Sequence, residues 1–450
     1  MNLATKFWLM LLLLQVVTTV TAITITNVAA GAYHSLFLKS DGSLWATGSN
    51  KYGQLGDGTT NDVHRPELIV SNGVTAIAAG YGHSLFLKSD GSLWGMGNNQ
   101  LGQLGDGTTN NASVPEQIVS SGVVAIAAGG YHSLFLKSDG SLWAMGYNAV
   151  GQLGDGTTND ASVPEQIISS DVIAIAGGTY HSLFLKSNGS LWSMGDDVYG
   201  ELGDGLNGLN VFTNVPEQII SSGVVAVAAG AYHSLFLKND GSLWAAGNNQ
   251  YGELGDGFSV DINEPEQIIP NGVVTIAAGW FHSLFVKTNG SLWAMGNDFN
   301  GQLGDGVVNF NPVSTPEQII SNGVTAIAGG MNHSLFLKSD GSVWSMGQGY
   351  NGQLGDGFND SGVLVPEQII PSPQPILTAG VLSQTNIQFE ATCQFGGTFY
   401  LLASPELSQP LSQWIPIWTN LVAVRGINNF NVTISNAVNS DQQFYILQSK

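Results

Sequence analysis

The sequence predicts an all-β fold, a seven-bladed β-propeller, from three observations. One segment recurs seven times along the 450 residues: Gly-x-x-His-Ser-Leu-Phe, then Ser-Leu-Trp or Ser-Val-Trp, then Gly-(Gln/Glu)-Leu-Gly-Asp-Gly. The copies lie 49 to 52 residues apart, a period typical of repeat arrays and closed rings. Gly is abundant, with 59 residues, and the short apolar runs between glycines suit strands and tight turns. The histidines that mark the copies are His34, His83, His132, His181, His233, His282 and His333.

Each copy is predicted to hold four strands, as the third copy illustrates. Its first run is β-branched and apolar, and it stops at Ala128-Gly129-Gly130. The second run is continuously apolar, and Asp139-Gly140 after it favours a type I′ hairpin into the third. A Gly/Asn/Asp-rich loop follows, and an outer strand begins at Pro164, where an edge position tolerates the missing N–H. The predicted strands are 123–127, 133–137, 142–145 and 164–168.

The second run of each copy shows no alternation of apolar and polar residues, so both of its faces are expected to be buried. Sheets buried on both faces and repeated seven times suit blades packed around an axis, each covering its neighbour. Closing the ring removes the exposed ends that an open array must cap. The sequence leaves open whether the ring closes within one repeat or through a strand shared by the two termini.

The two ends of the chain are predicted to be separate from the propeller. The N-terminus has the form of a signal peptide, with Lys6, an apolar core from Phe7 to Val17 that is too short to span a bilayer, and small residues up to Ala22. We therefore expect a secreted or cell-surface protein with no membrane insertion after cleavage. The predicted boundaries are 1–22 for the signal peptide, 23–371 for the propeller, 372–375 for a Pro-rich linker and 376–450 for a small β-sandwich-like C-terminal module.

Composition excludes several classes of partner. Only 12 Lys and Arg stand against 33 Asp and Glu, which gives a formal net charge of −21. A chain this acidic repels phosphate backbones and anionic membrane surfaces, so nucleic acid is not expected as a partner. Cys393 is the single cysteine, so no intramolecular disulfide can form and the core must hold the fold.

The pattern Ala-Gly-x-x-His-Ser-Leu-x-Leu, Asp-Gly-x-Leu-Trp, Gly-x-Asn-x-x-Gly-Gln-Leu-Gly-Asp-Gly resembles the repeat of the RCC1 (regulator of chromosome condensation) family. The resemblance covers Thr26 to Ile370, about three quarters of the chain. It implies a propeller, and a secreted bacterial relative that inhibits β-lactamase implies a protein partner held by aromatic residues on one face. Guanine nucleotide exchange, the founding member's activity, is disfavoured. The regular spacing leaves no room for the β-wedge it uses, and a signal peptide would separate the chain from a cytosolic GTPase.

The repeated polar residues are predicted to be structural. We expect each His-Ser histidine to bond backbone groups, because symmetry-related histidines lie too far apart to share one ion and no Cys or paired Asp completes a metal site. Adjacent strand residues point to opposite faces, which argues against a Ser-His-Asp hydrolase. The Gly-Asp-Gly aspartates are expected to close Asx turns, with calcium binding by the Asp-rich loops left open. The tryptophans are expected to pack between blades, and the repeated lysines to be solvated beside a carboxylate or amide.

Functional residues are predicted where the copies differ, namely at the two positions between Gly and His and before the Gly-Gln-Leu-Gly-Asp-Gly loop. Strands of a blade alternate in direction, so the loops after the first and third strands leave at the same end, and both variable sets are expected on one face. Large aromatics there resemble the anchors of protein interfaces. The predicted partner-binding residues are Tyr33, Tyr81, Tyr131, Tyr180, Tyr232, Trp280, Phe281, Met331, Tyr52, Tyr199, Tyr251, Phe299 and Tyr350.

The sequence therefore predicts a secreted or cell-surface binding scaffold that recognises a macromolecular partner, most readily a protein, through this aromatic face. A glycan-binding protein stays an alternative because Tyr and Trp stack on sugars. No carboxylate pair confined to one blade points to an enzyme, and no catalytic residue, metal or cofactor is predicted. We expect a monomer.

Overall fold

The computed structural model describes residues 24–370, with the side chains of residues 309 and 310 excepted, and the backbone of six strands between residues 378 and 449. Ile23–Ser372 form one compact unit, and a second contains Pro373–Lys450. The first unit is seven antiparallel sheets, each made of four consecutive strands, so the predicted seven-bladed propeller is confirmed. None of the described residues belongs to a helix long and apolar enough to cross a membrane. The predicted signal peptide and linker lie outside the described residues.

Every blade presents its strands in chain order from the axis outward. The first strands are β1 (Ile25–Ala30), β5 (Val74–Ala79), β9 (Val123–Ala128), β13 (Val172–Gly177), β17 (Val224–Ala229), β21 (Val273–Ala278) and β25 (Val324–Gly329). The second strands are β2 (His34–Lys39), β6 (His83–Lys88), β10 (His132–Lys137), β14 (His181–Lys186), β18 (His233–Lys238), β22 (His282–Lys287) and β26 (His333–Lys338). The third strands are β3 (Leu44–Gly48), β7 (Leu93–Gly97), β11 (Leu142–Gly146), β15 (Leu191–Asp196), β19 (Leu243–Gly247), β23 (Leu292–Asp298) and β27 (Val343–Gly347). The outer strands are β4 (Val63–Val70), β8 (Ala112–Val119), β12 (Ala161–Ile168), β16 (Phe212–Ile220), β20 (Ile262–Ile269), β24 (Asn309–Ile320) and β28 (Val363–Ile370).

The core lies between neighbouring blades, as the continuous apolar second strand predicts. In each second strand the first five residues are buried and the closing lysine is half-buried. One apolar cluster joins Leu36 and Leu44 of the first blade to Phe86 and Met96 of the second, and Trp94 packs against it. The predicted packing of the tryptophans between blades is therefore confirmed.

The hairpin between the second and third strands differs from the predicted type I′ turn. Gly42 N–H donates to the Lys39 carbonyl, and Gly42 has a φ of +77° whereas Asp41 has an ordinary negative φ. A type I′ turn needs positive φ at two successive residues, but a type I turn followed by a left-handed Gly needs it only once. Asp41 Oδ1 accepts the Ser43 N–H at 2.9 Å, which explains the Asp without a left-handed backbone.

The outer strand begins earlier than predicted. In the third blade it spans Ala161–Ile168, and Ala161 pairs with Gly146 across an irregular register. Pro164 therefore lies inside the strand rather than at its start. The strand does lie at the sheet edge, so the missing N–H interrupts no ladder on the outer side.

The ring closes without a shared strand. The first copy supplies all of β1–β4 and the last copy all of β25–β28, so closure occurs within a repeat. The seam is held like the other junctions: Ile25 and Phe37 of the first blade join Leu335 and Val343 of the seventh in one apolar cluster. Backbone contacts add to it, since Gly357 N–H donates to the His64 carbonyl at 2.8 Å.

The C-terminal unit contains two three-stranded antiparallel sheets, in the orders β29-β30-β33 and β32-β31-β34. All six strands lie within residues 376–450, which the sequence predicts to form a β-rich module. Packing of the two sheets as a sandwich stays a prediction. The strands are β29 (Thr378–Val381), β30 (Asn386–Cys393), β31 (Gly397–Ser404), β32 (Ile415–Val422), β33 (Asn428–Ser435) and β34 (Phe444–Ser449).

Candidate functional site

The repeated histidine and serine form one hydrogen-bonded link at every blade junction. His34 Nε2 lies 2.9 Å from the Ser84 hydroxyl of the next blade, and that hydroxyl donates to the Gln54 carbonyl at 2.7 Å. Because the hydroxyl proton goes to the carbonyl, Nε2 must carry the imidazole proton and donate it. The expected bond from histidine to backbone groups was wrong, although the role is structural. The same link, at 2.8 to 3.0 Å, joins the other blades, and His333 with Ser35 closes the ring.

Burial keeps these histidines neutral. Loss of hydration, together with a smaller effect of the neighbouring His83, lowers the pKa of His34 to about 3. The glycine three residues before each histidine is explained by the same packing, because a Cβ at Gly31 would collide with the His34 ring. A buried, neutral histidine locked to a neighbouring blade is not placed to act as a catalytic base.

The repeated lysine covers the tryptophan ring instead of extending into solvent. Lys39 Nζ lies 3.7 Å from the centroid of the Trp45 ring, and the corresponding distances in the other six blades are 3.6 to 4.5 Å. Beneath the indole, a phenylalanine of the second strand stacks on it, as Phe86 does on Trp94 at 6.1 Å. The lysine therefore serves the blade through a cation–π contact.

In four of the seven copies the Gly-Asp-Gly loop is organised around its aspartate and one buried asparagine. Asp57 Oδ1 accepts the Thr59 N–H at 2.8 Å, which is the predicted Asx turn. Asn50 donates Nδ2 to Asp57 Oδ1 at 3.0 Å and accepts the Leu55 N–H at 3.0 Å, so one amide spans the loop. The Asx turn is made by all seven aspartates: Asp57, Asp106, Asp155, Asp204, Asp256, Asp305 and Asp356. Among the described residues, no three His, Cys, Asp or Glu side chains are grouped to hold a metal ion.

The fourth copy carries a buried carboxyl at the asparagine position, as the sixth copy does with Asp298. Asp197 replaces the asparagine: its Oδ1 accepts the Leu202 N–H at 3.0 Å, but its buried Oδ2 has no hydrogen-bond partner where an amide would donate. Burial raises the pKa of Asp197 to about 8, and nearby Asp204 adds to the shift. Burial likewise raises the pKa of Glu201, which replaces the usual glutamine, to about 9. At neutral pH these carboxyls either hold a proton or carry a buried negative charge that is not compensated.

The loops after the first strands bring most of the predicted aromatic residues together. We call this set the aromatic rim. Six of its rings form a closed circuit of contacts, with centroids 5.2 to 6.4 Å apart, and the seventh joins the circuit at 6.1 Å. All seven residues are half-buried. The circuit runs Tyr81, Tyr131, Tyr180, Tyr232, Phe281, Trp280 and back to Tyr81, with Tyr33 attached to Tyr81.

Tyr81 and Trp280 meet across the axis of the propeller. They belong to the second and sixth blades, yet their ring centroids are 5.3 Å apart. Beneath them lies a cavity of about 120 Å³, lined mainly by glycine and alanine at the ends of the first strands. Because these strand ends carry glycine and alanine, their backbones approach the axis closely and the channel is narrow. The rings of Tyr81 and Trp280 cover its mouth.

The second predicted set lies next to the rim. Tyr199 contacts Tyr232 of the following blade at 5.2 Å, and Tyr251 contacts Phe281 at 5.6 Å, so the two loop types meet at one end of the propeller. Tyr251 also contacts Phe299 at 5.7 Å.

The remaining predicted residues contribute less to the rim. Tyr52 is half-buried against Gly82, and Tyr350 is exposed. Met331, also half-buried, occupies the position of Tyr81 and Trp280 in the seventh copy without a ring.

Two groups at this end were missed from the sequence. Tyr147 contacts Tyr131 at 6.4 Å and Tyr180 at 6.0 Å, and a variable position directly after the third-strand glycine could have revealed it. The second group is a set of exposed apolar side chains in the Gly-Asp-Gly loops of the later copies, of which Phe258 and Leu209 are the most prominent. Replacement of the Thr-Thr pair found in the first three copies could have revealed these.

Comparison with known proteins agrees with this architecture. A model of the RCC1-like domain matches residues 14–221 and, in an overlapping match, 120–388. The structure of yeast RCC1 (Prp20) with Kap60 bound is similar at 24% identity and a TM-score of 0.65, covering 74% of this chain and 85% of that one. Human WBSCR16 is similar at 27% identity and a TM-score of 0.62, covering 70% and 86%. Prp20p from Saccharomyces cerevisiae, studied with its binding to Gsp1p and histones, is similar at 23% identity and a TM-score of 0.66, covering 76% and 90%.

The matched residues together span most of the chain, and all seven blades show the repeat from which the resemblance was drawn. This protein belongs to the RCC1-like domain family.

Proposed function

We propose that this protein is a binding scaffold that holds a protein partner at the end of the propeller where the aromatic rim lies. The closed circuit of six half-buried rings carries the proposal. Rings that hold one another in place lose little conformational freedom when a partner covers them, and aromatic side chains with a polar tip supply both apolar area and hydrogen bonds.

The chemistry of the rim suits a neutral, amphipathic contact. Burial raises the pKa of Tyr232 to about 12, with Tyr180 adding to the shift, so its phenol stays protonated at any physiological pH. Burial also raises the pKa of Tyr131. Protonated phenols both donate and accept hydrogen bonds, which is what a partner's backbone or polar side chains require.

The repeated polar residues support a scaffold rather than an enzyme. The histidines, serines, aspartates and lysines that recur in every blade are engaged in holding blades and loops, as described above. Residues 24–370 form seven four-stranded blades with no additional strand, which leaves no β-wedge of the kind associated with guanine nucleotide exchange. Yeast RCC1, a structural relative, has been captured with Kap60, and we infer that protein binding is also the use of this propeller.

The place of action belongs to the same proposal. The first 22 residues have the composition of a signal peptide, so we infer that the mature chain works outside the cell or on its surface. We infer a monomer as well, because each blade completes its own four-stranded sheet within one copy of the repeat and the ring closes without a strand from another chain.

A pull-down from the native secretome and cell-envelope fraction tests the proposal. The bait is compared with a variant carrying Tyr131→Ala, Tyr180→Ala, Tyr232→Ala and Trp280→Ala, which removes most of the rim. A matched control changes exposed apolar residues at the opposite end of the propeller, where the first strands begin. The control substitutions are Val124→Ser, Ile173→Ser, Val225→Ser and Val274→Ser.

We expect a protein retained by the wild type and the control and lost by the rim variant, with all three equally folded by circular dichroism. Equal retention by all three would place the site elsewhere and refute the proposal. Retained material that survives protease but not glycosidase treatment would favour the glycan-binding alternative.

A further inference from the structure

One position of the repeat separates the first three blades from the later ones. It is the residue directly after Gly-Asp-Gly, at the tip of the loop between the third and outer strands. The first three copies carry threonine there and the others a large apolar residue, although all seven are solvent-exposed. The residues are Thr59, Thr108 and Thr157, then Leu206, Phe258, Val307 and Phe358.

The loop backbone does not require the apolar side chains. The N–H at this position donates to the preceding aspartate at 2.8 Å from Thr59 and at 2.7 Å from Leu206, so the Asx turn is the same. Thr59 additionally donates its hydroxyl to Asp57 at 2.9 Å. Leucine, phenylalanine and valine forgo that bond and expose apolar surface to water, which is unfavourable for the isolated protein.

The exposed apolar residues are densest along three consecutive blades, the fourth to the sixth, each of which exposes at least two after Gly-Asp-Gly in this loop, whereas the seventh blade exposes Phe358 alone there. Leu209 is 86% exposed and Phe258 67% exposed, and neighbouring loops are tied together because Gly205 N–H donates to the Asn263 carbonyl at 2.8 Å. In the first three blades no large apolar residue of the corresponding loops is exposed. We call the set the apolar arc; its members are Leu206, Leu209, Phe258, Val260, Val307 and Val308.

The charged residues in the loops that carry the arc are all negative. Residues 196–213, 248–264 and 297–312 contain ten Asp and Glu and no Lys, Arg or His. Five of these carboxylates are at least partly exposed and lie within a few residues of the apolar tips: Asp204, Asp256, Asp261, Glu264 and Asp305. Apolar surface flanked by carboxylates is complementary to a segment that alternates apolar and basic side chains.

We propose that the apolar arc is the part of the partner-binding end that docks a polypeptide segment rich in both basic and apolar residues. The inference rests on the proposed function and specifies the chemistry of the partner. Five of the six members are aliphatic, so they gain from apolar contact but offer sugars no hydrogen bonds and, apart from the ring of Phe258, no stacking face. The carboxylates repel anionic lipid. The lysine or arginine side chains of the segment pair with the surrounding carboxylates, and its apolar side chains cover the tips.

The triple variant Leu206→Thr, Phe258→Thr and Val307→Thr tests this proposal by introducing the residue found at the same position in the other blades. Threonine occupies this position in the first three blades, so the loops should fold unchanged. The control Thr59→Val, Thr108→Val and Thr157→Val adds apolar tips to the first three blades, where the arc is absent. The probes are three fluorescein-labelled peptides of equal length, composed of Lys and Leu, Glu and Leu, and Lys and Ser. Binding to full-length protein is followed by fluorescence anisotropy.

We expect the Lys/Leu peptide to bind the wild type and to bind the triple variant about tenfold more weakly, a difference of about 1.4 kcal/mol. The Glu/Leu and Lys/Ser peptides should bind the wild type no more tightly than they bind the triple variant. Added salt should weaken the complex of the wild type with the Lys/Leu peptide. Equal binding of the Lys/Leu and Glu/Leu peptides, or no loss in the triple variant, would overturn the proposal.

Two further outcomes would also overturn it. Concentration-dependent dimerisation that the triple variant abolishes would make a second copy the occupant, and binding to anionic vesicles that it abolishes would make lipid the occupant. The pull-down with the rim variant is independent of these peptides. A partner lost with the rim but unaffected by the triple variant would retain the proposed function and reject the docking of a basic, apolar segment on the arc.

Discussion

Replacing Asp197 by asparagine should stabilise the protein, and increasingly so as the pH rises. The four copies with asparagine at this position place an N–H where Asp197 has a buried oxygen without a partner: Asn50, for example, donates to Asp57 at 3.0 Å. In the Asp197→Asn variant the new amide would donate in the same way to Asp204. The carboxyl that it replaces must either hold a proton or leave two carboxylates facing each other.

The direction of the pH effect follows from the raised pKa. Burial raises the pKa of Asp197 from 3.8 to about 8 in the folded chain, so the folded state holds a proton that the unfolded state releases. The contribution of Asp197 to the folding stability of the wild type therefore falls as the pH rises from about 4, and levels off above about 8. The advantage of Asp197→Asn grows over the same window. The buried histidines contribute equally to both proteins, so their effect cancels in the difference.

The expected size is modest. A buried polar group left without a partner costs about 1–3 kcal/mol. This range applies rather than the larger figure that the whole pKa shift would give, because the loop lies close to solvent and water screens it. For a propeller of this length, about 1 kcal/mol corresponds to roughly 1–2 °C in Tm. The variant should therefore melt about 2–4 °C above the wild type near pH 8, and the two should converge toward pH 5.

Thermal melting of wild type, Asp197→Asn and the reciprocal Asn50→Asp across this pH range is the measurement. Asn50→Asp should impose on the first blade the alkaline sensitivity that Asp197→Asn removes from the fourth. Equal Tm values for wild type and Asp197→Asn near pH 8, or a difference that does not change with pH, would refute the reasoning.

Three further outcomes follow from the blade junctions and the rim. Ser84→Ala should lower the free energy of unfolding by about 2–4 kcal/mol in urea titrations, because His34 Nε2 and a backbone carbonyl both lose their partner; a loss below about 1 kcal/mol would show that water replaces the hydroxyl. Burial lowers the pKa of the repeat histidines to about 3 or 4, so their contribution to folding stability should fall as the pH drops below about 6.5. Tryptophan fluorescence at a fixed urea concentration should report the loss, and a flat profile between about pH 6.5 and 4.5 would contradict the prediction. A double-mutant cycle of Tyr81→Ala and Trp280→Ala should give a coupling of about 0.5–1.5 kcal/mol from their ring contact across the axis, whereas additive effects would deny that contact in solution.

Much of the blade was predictable because it depends on local patterns. The continuous apolar run of the second strand required burial on both faces, and the Gly-Asp-Gly aspartate has few uses other than an Asx turn. Errors arose where a residue's partner lies elsewhere in the chain. His34 was expected to bond backbone, yet its partner is a serine 50 residues away. Lys39 was expected in solvent, but its ammonium group lies over the ring of Trp45, on the neighbouring strand of the same hairpin.

The aromatic rim was only partly predictable. That Tyr131 and Tyr180 share an end of the propeller follows from the alternation of strand direction within a blade. That Tyr81 reaches Trp280 could not follow, because the two lie in blades separated on both sides by others and meet only through the narrowness of the channel. Tyr147 was missed because it precedes the variable position that was considered.

The sequence by itself determined the number of blades, the four strands in each and the residues buried between them, because a near-exact repeat must satisfy the same packing seven times. The tertiary structure decided how the ring closes, which partners the repeated polar groups take and which aromatic rings touch. These depend on the curvature of the ring, which brings the first and last blades together and sets the width of the channel. Curvature arises from the sum of seven blade-to-blade contacts, so no single copy of the repeat encodes it.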